Sequence, residues 1–346
     1  MKLGINLSYS GKQIKLPLDL VKKAEQLGYD SVWTAEAYGS DAVTPATWIL
    51  ANTKTIKVGT AIMQMPARTP AMAAMTAMTL DQLSNGRFII GLGASGPQVV
   101  EGWHGVPYGK PITRTREYIQ IIQKIMARKE PVTFDGKVYQ LPIKGEGTTG
   151  LGKPLISILQ ASPSIPIYTA AITPAGLSCA AEVADGTFPV WMSPEKFSTI
   201  GTYLERGFAK TGGKKSLANF DVAPRVPVSM GEDIKACRAP VKAFLALYIG
   251  GMGARNKNFY NDYASRMGYE EAAHIIQDHY LAGEKDAAQA AVPDALVDEI
   301  SLIGPPGRIR ERAQDWKKTA AKNEVGTMII DTQQAEVLPL LAECLL

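Results

Sequence analysis

A chain of 346 residues with 46% hydrophobic content can bury a substantial core, which excludes a disordered or fibrous protein. Its 37 basic and 33 acidic residues leave a formal charge of only +4, and its longest basic clusters are two residues long, which excludes a nucleic-acid groove. Three widely separated cysteines, Cys179, Cys237 and Cys344, provide no disulfide framework and fit a reducing compartment.

In chain order, "KLGINLSY" reads as a first strand, with no signal-peptide stretch in "MKLGINLSYSG", so a cytoplasmic location is expected. A helix over 17–28 follows, with Leu20, Val21, Ala24 and Leu27 on one face. Strands "SVWTAE" and "IKVGTAIM" come next, Met63 and Met65 sharing a side. In "TPAMAAMTAMTLDQL" the helical spacing of Met72, Met75 and Met78 predicts a core stripe facing the sheet. Strand "RFIIGLGA" leads into a glycine-rich segment, and a helix begins near Thr113. Residues 130–164 read as an insertion holding a hairpin, "PVTFDGKVYQL", with Asp135 and Gly136 at the turn. Strands "IPIYTAA", "GTFPVWM" and "FDVAPRVPVSM" follow, then a buried helix over 241–252 that is too short to cross a bilayer. A second insertion, 253–300, reads as extra helices. The helix over 308–317, with Ile309, Ala313 and Trp316 on one face, and the strand "VGTMIIDT" close the chain.

Strands alternating with helices predict a parallel sheet, because each crossover helix returns the chain to the same end. Eight such units suit a closed (β/α)8 TIM barrel: an α/β fold, one domain over 1–346 with the two insertions. The rival is a doubly wound sheet, suggested by Gly91, Gly93 and Gly96 in "IGLGASGPQVVEGWHG" at G-x-G-x-x-G spacing. That fingerprint needs the third glycine to open a helix onto a pyrophosphate. Pro97, Gly102, Gly105, Pro107, Gly109 and Pro111 keep breaking the chain, so the glycines are expected to feed a long loop.

In a barrel the chemistry sits at the C-terminal strand ends. Those ends hold Ser8 and Tyr9; Glu36, Tyr38 and Asp41; Ala61, Ile62 and Gln64; Ser95 to His104; Ala171 to Gly176; and Trp191 with Met192. Of the three histidines, His274 and His279 stand five apart on different faces of a helix, so no metal site is expected. Cys179, in an apolar helical run, reads as a small buried residue and not a nucleophile. With few strong catalysts, a cofactor is expected to carry the hard step. In "IYTAAITPAGLSCAAEVADG" Thr173 takes a helix-cap position and Pro174 the first turn, leaving N–H groups for an anion without Arg or Lys; the alternative is that Thr173 only caps its helix.

The stretches "SVWTAEAYGSDAVTPATWILA", "IKVGTAIMQMPARTPAMAAMTAMTLDQLSNGRFIIGLGASGPQVVEGWHG", "PIYTAAITPAGLSCAAEVADG" and "LIGPPGRIRERAQDWKK" resemble the bacterial luciferase-like superfamily, and within it the deazaflavin (coenzyme F420)-dependent oxidoreductases of actinobacterial type. The resemblance weakens in residues 130–164 and 253–295. It implies the barrel already inferred, an insertion partly covering its mouth, and a flavin or deazaflavin ring at the strand ends. A non-proline cis peptide is implied between Ala61 and Ile62, with Gln64 beside it. Gly93, Ser95, Gly96 and Pro97 would border the ring or ribityl chain, Ala170, Ala171, Ile172 and Thr173 the phosphate, and Trp191 would lie beside it. Several such enzymes carry a histidine one position after the strand-two acid, where this chain has Ala37 after Glu36. Glu36, Glu101 and His104 are the candidate proton carriers; the alternative roles are backbone orientation for Glu36 and loop positions without chemistry for the other two.

The implied function is hydride transfer between coenzyme F420 and a small organic substrate, by a homo-oligomer, a dimer. Two other readings stay open: a monooxygenase using FMN and O₂, and a barrel that binds the cofactor without turning it over.

Overall fold

The strands read from the sequence form, and among the described residues they close a ring. The computed structural model describes residues 1–8, 10–160 and 165–346; Tyr9 and the last four residues of the first insertion lie outside them. We number the barrel strands β1 (Lys2–Ser8), β2 (Ser31–Thr34), β3 (Lys57–Thr60), β4 (Phe88–Gly93), β5 (Ile167–Ala170), β6 (Gly186–Phe188), β7 (the runs Asp221–Val222 and Arg225–Met230) and β8 (Thr327–Asp331). Neighbours pair in parallel from β8 through β1 to β6. The ring closes on β7, whose first run pairs with β6 and whose second pairs with β8.

Three details differ from the sequence reading. "FDVAPRVPVSM" is not continuous: Pro224 lacks an N–H, and the ladder breaks around it. "IKVGTAIM" is also split, because the Ala61–Ile62 peptide is cis and Met63–Gln64 resumes as a separate short strand against Leu92 and Gly93. Leu302–Gly304, too short to read as a strand, pairs with Val228–Met230 just after the helical insertion.

Two apolar layers result. Outward residues of the strands pack under the helices: Leu20, Val21 and Ala24 of helix Leu18–Gln26, and Ile309, Ala313 and Trp316 of helix Pro306–Ala321, are all buried there. The barrel interior is a separate cluster of Trp33, Ile89, Tyr168, Phe188, Ala223 and Ile329. Its rings meet at centroid distances of 5.0–5.6 Å. The neighbouring strands carry glycine where those rings lie: a Cβ on Gly59 would stand 2.3 Å from Trp33, and one on Gly186 2.3 Å from Tyr168. Below this plug, Asp221 accepts from the Tyr168 and Thr327 hydroxyls (2.9 and 2.7 Å) and from Lys2, closing the N-terminal end.

The methionine stripe is only partly core. Met78 is fully buried, but Met72 and Met75 are more than half exposed, because their face of helix Pro70–Leu83 turns to solvent and its alanines pack inward. The hairpin forms with Phe134–Asp135 against Gln140–Leu141, so Asp135 is in the strand and the turn starts at Gly136. That turn is pinned by the buried Glu117 carboxylate, which accepts the N–H groups of Lys137, Val138 and Tyr139 (2.7–2.9 Å). The second insertion is helical, with helices Phe259–Ala264, Glu270–Leu281, Lys285–Ala290 and Asp294–Ile300. No helix among the described residues is long and apolar enough to cross a membrane. Cys179 is buried, which pushes its thiol up to about 11.

One carboxylate ties a helix to the next βα unit. Glu25 accepts the N–H groups of Lys54, Thr55 and Ile56 (2.6–3.0 Å) and the Thr55 hydroxyl. Burial alone would raise its pKa, but these donors outweigh it and hold it at about 2, below the ordinary 4.5. The stabilisation is therefore complete above about pH 4.5 and is lost as pH falls toward 2. Urea unfolding at about pH 6 and about pH 3 should show a larger acid loss for the wild type than for Glu25→Gln. Equal acid losses in the two proteins would contradict this.

Candidate active site

Two residues further along each strand, above the aromatic plug, lies the floor of the mouth. On β2 to β5 the side chains there are small or absent: Ala35, Ala61, Gly91 and Ala170. On β1, β7 and β8 they are polar: Asn6, Arg225 and Asp331. Asp331 accepts from Asn6 (3.1 Å) and from Arg225, whose guanidinium also lies 5.0 Å from the Phe244 ring centroid. The mouth thus has an apolar shelf of low relief on one side and a hydrogen-bonded ionic wall on the other. Ser8, Ser95 and Trp191, at the ends of β1, β4 and β6, hold φ values of 57°, 60° and 49°. Left-handed backbone costs a non-glycine residue about 1–2 kcal/mol and gathers at functional sites.

The glycine run has three separate reasons. A Cβ on Gly91 would stand 1.6 Å from the Thr60 carbonyl oxygen, so β4 can pass β3 only without a side chain. On Gly93 it would meet Ile62 at 2.6 Å, so this glycine makes room for the Ala61–Ile62 bulge. Gly96 has only the tip of Gln98 nearby, at 3.2 Å. The expected long loop after it is incorrect: Gly96 is the N-cap of a short helix, Pro97–Gly102, since Pro97 fixes a helical φ at the first turn. The dinucleotide reading fails on the topology instead, because the sheet is a closed barrel and not an open doubly wound one.

Glu36, at the end of β2, is 8% exposed and fully engaged. Arg68 grips both carboxylate oxygens (2.5 and 3.0 Å), and the N–H groups of Ala42 and Gln64 supply two more bonds (2.9 and 2.7 Å). Burial would lower the Arg68 pKa, but the bond and charge of Glu36 outweigh it and the net shift is upward. Gln64, itself buried, faces His104 with its side chain: His104 Nε2 lies 2.7 Å from Gln64 Oε1. With an amide oxygen as acceptor, Nε2 carries the proton and Nδ1 is left for other partners. Glu36, Gln64 and His104 therefore form one connected set. Glu101 stands apart from it, exposed, accepting the Tyr108 N–H (3.1 Å). Tyr38 is exposed, and Asp41 accepts the N–H groups of Val43 and Thr44 at a helix start.

At the end of β5, Ala170 is exposed, Ala171 buried, and Ile172 and Thr173 half-buried. Thr173 caps helix Pro174–Val183, its hydroxyl accepting the Gly176 N–H at 3.1 Å. The sequence motif holds no Arg or Lys, but the fold brings Arg266 of the second insertion to it, donating to the Ile172 carbonyl (2.7 Å). Trp191, 3% exposed, stands among Phe244, Tyr248, Tyr260 and Tyr263, and its indole N–H has no acceptor among the described residues.

Sequence reading missed Arg68, Asn6, Arg225, Asp331 and Arg266. Counting two residues beyond the plug would have found Asn6, Arg225 and Asp331 on their strands; nothing local marks the two other arginines.

A closed, parallel βα barrel is also the fold that the comparison with known proteins gives. Residues 2–323 match the model of the luciferase-like monooxygenase family, and the chain belongs to that family, whose members here are oxidoreductases. It is 43% identical, over 97% of its length and 96% of the relative's, to a Mycobacterium tuberculosis protein named "Putative coenzyme F420-dependent oxidoreductase Rv3520c". It is 28% identical to the 5,10-methylenetetrahydromethanopterin reductase of Archaeoglobus fulgidus, covering 99% of this chain and 98% of that one. In fold it is similar to the coenzyme F420-dependent tetrahydromethanopterin reductase of Methanopyrus kandleri, with a TM-score of 0.79 at 22% identity over 99% and 98% of the two chains.

Proposed function

We propose that this protein transfers a hydride between coenzyme F420 and a small organic substrate at the barrel mouth. The observation that carries the reading is the division of the mouth: a shelf of Ala35, Ala61, Gly91 and Ala170 beside a helix N-terminus, facing the wall of Asn6, Arg225 and Asp331. A flat ring with an anionic tail fits that shelf, and the indole N–H of Trp191 is a buried donor without an acceptor among the described residues. The name of the 43% identical relative supports the choice of deazaflavin.

When bound, the deazaflavin supplies a two-electron hydride carrier. The chain's own residues supply the rest. Ala61, Ile62 and Gly93 would bear on the ring, Ser95, Gly96 and Pro97 border the ribityl chain, and Ala170 to Thr173 with Trp191 receive the phosphate end. Gln64 holds His104 in one tautomer, which makes His104 the proposed proton carrier; Glu36, with four donors on its carboxylate, instead fixes the Gln64 backbone.

Titration of the pure protein with F420, FMN and NADPH tests the reading. Saturable F420 binding is expected; tight FMN binding with none for F420 would identify a flavin enzyme instead. Ala170 is exposed where Ala171 is buried, so Ala170→Asp sets a carboxylate beside the phosphate end without burying charge. It should weaken F420 by more than about tenfold, some 1.4 kcal/mol. Unchanged affinity in a folded Ala170→Asp protein would move the phosphate elsewhere.

A further inference from the structure

We infer that Arg266 is the cationic partner of the phosphate ester on the cofactor's side chain, completing an anion site that the helix N-terminus only begins; this rests on the cofactor reading above. In the first turn of helix Pro174–Val183, Pro174 has no N–H, and Thr173 already occupies the Gly176 N–H. The N–H groups of Thr173 and Ala175 are left as backbone donors, with no charge of their own to match a phosphate ester in competition with water.

Arg266 stands beside that turn, and its surroundings point to a missing acceptor. One Nη2–H goes to the Ile172 carbonyl at 2.7 Å, just before the cap, and Nη1 reaches the Asp262 carbonyl at 3.3 Å. Nε is buried with no acceptor. The guanidinium lies 5.3 Å from the ring centroid of the buried Tyr263, so the side chain is packed in place. Arg68, Arg116, Arg225, Arg238 and Arg312 are each neutralised by a carboxylate; among the described residues Arg266, like Arg87, Arg114, Arg128 and Arg206, has none within 4.0 Å. Tyr263 also packs on Trp191, 3% exposed, whose ring centroid is 6.2 Å away and whose buried Nε1–H has no partner among the described residues. A guanidinium without a carboxylate, with a buried Nε–H lacking an acceptor and anchored at the helix start, is the complement of a phosphate monoanion.

The test compares F420 with the same deazaflavin truncated to its ribityl alcohol, which lacks the phosphate, by fluorescence titration of the full chain. Arg266→Gln keeps the length and a donor for Ile172 but removes the charge. It should weaken F420 by about tenfold or more and the truncated ligand by less than about twofold, with Arg266→Lys recovering most of the loss. Raised salt should lower wild-type affinity for F420 more than that of Arg266→Gln. Equal losses for both ligands would make Arg266 a packing residue, and unchanged F420 affinity in Arg266→Gln would remove it from the site; either overturns the inference alone. A wild-type protein that binds the truncated ligand but not F420 also overturns it. Failure of the wild type to bind either deazaflavin overturns the proposed function, and this inference with it.

Discussion

Glu36→Ala is expected to destabilise the protein by about 3–5 kcal/mol, the usual cost of removing one partner of a buried, hydrogen-bonded ion pair. The variant would strand the Arg68 guanidinium, only 18% exposed, and would leave the N–H groups of Ala42 and Gln64 without acceptors. The Arg68 main chain is fixed as well, its carbonyl accepting the buried Tyr118 hydroxyl at 3.1 Å. Glu36→Gln should lose less, since an amide oxygen can keep one of the backbone donors. Urea unfolding of the three proteins decides the matter: a Glu36→Ala midpoint equal to the wild type would mean that the carboxylate is free for proton transfer and not an anchor. The two roles predict opposite results, because a group with four donors on it has no open lone pair for a substrate.

Gly91→Ala should be nearly as damaging, and Gly96→Ala should be mild, although both belong to one glycine motif. The Gly91 methyl would meet a backbone oxygen at 1.6 Å, in a strand held on that side by the Thr60 hydroxyl through both Gly91 N and O (3.0 and 2.8 Å). Backbone cannot rotate away, so the loss should reach or exceed the upper end of the about 1–3 kcal/mol typical of overpacking. At Gly96, φ is −84° and the nearest atom is a side-chain tip, so alanine should cost no more than the about 1 kcal/mol by which it falls short at a helix N-cap. Thermal unfolding of the two variants tests this, and equal melting points would contradict it. The pattern also separates barrel packing from phosphate cradling, which would make the third glycine the sensitive one.

Much of the fold was legible because it is written locally. Apolar runs of β-branched and aromatic residues such as "RFIIGLGA" gave the strands, and the 3.6-residue spacing of Ile309, Ala313 and Trp316 gave a buried helix face. The cap at Thr173 was readable from three adjacent residues. The bulge at Ala61 and Ile62 came only through the resemblance to a family, since nothing in local propensity asks for it. Where local signals compete they misled. Six Gly and Pro positions after Gly96 hid a six-residue helix, and methionines at helical spacing marked a face that is mostly solvent.

By itself, then, the sequence determined the βα alternation, the eight strands and the strand ends at which a site had to lie, because propensity, periodicity and capping act within a few residues of chain. Which side chains meet at that site was decided by tertiary structure. Glu36 finds Arg68 across 32 residues, Arg266 reaches Ile172 across 94, and Arg225 pairs with Asp331 across 106. Those pairings follow from ring closure, which brings β7, β8 and β1 side by side and folds the second insertion over β5 and β6; no local preference encodes them, since each partner alone is an ordinary solvated charge.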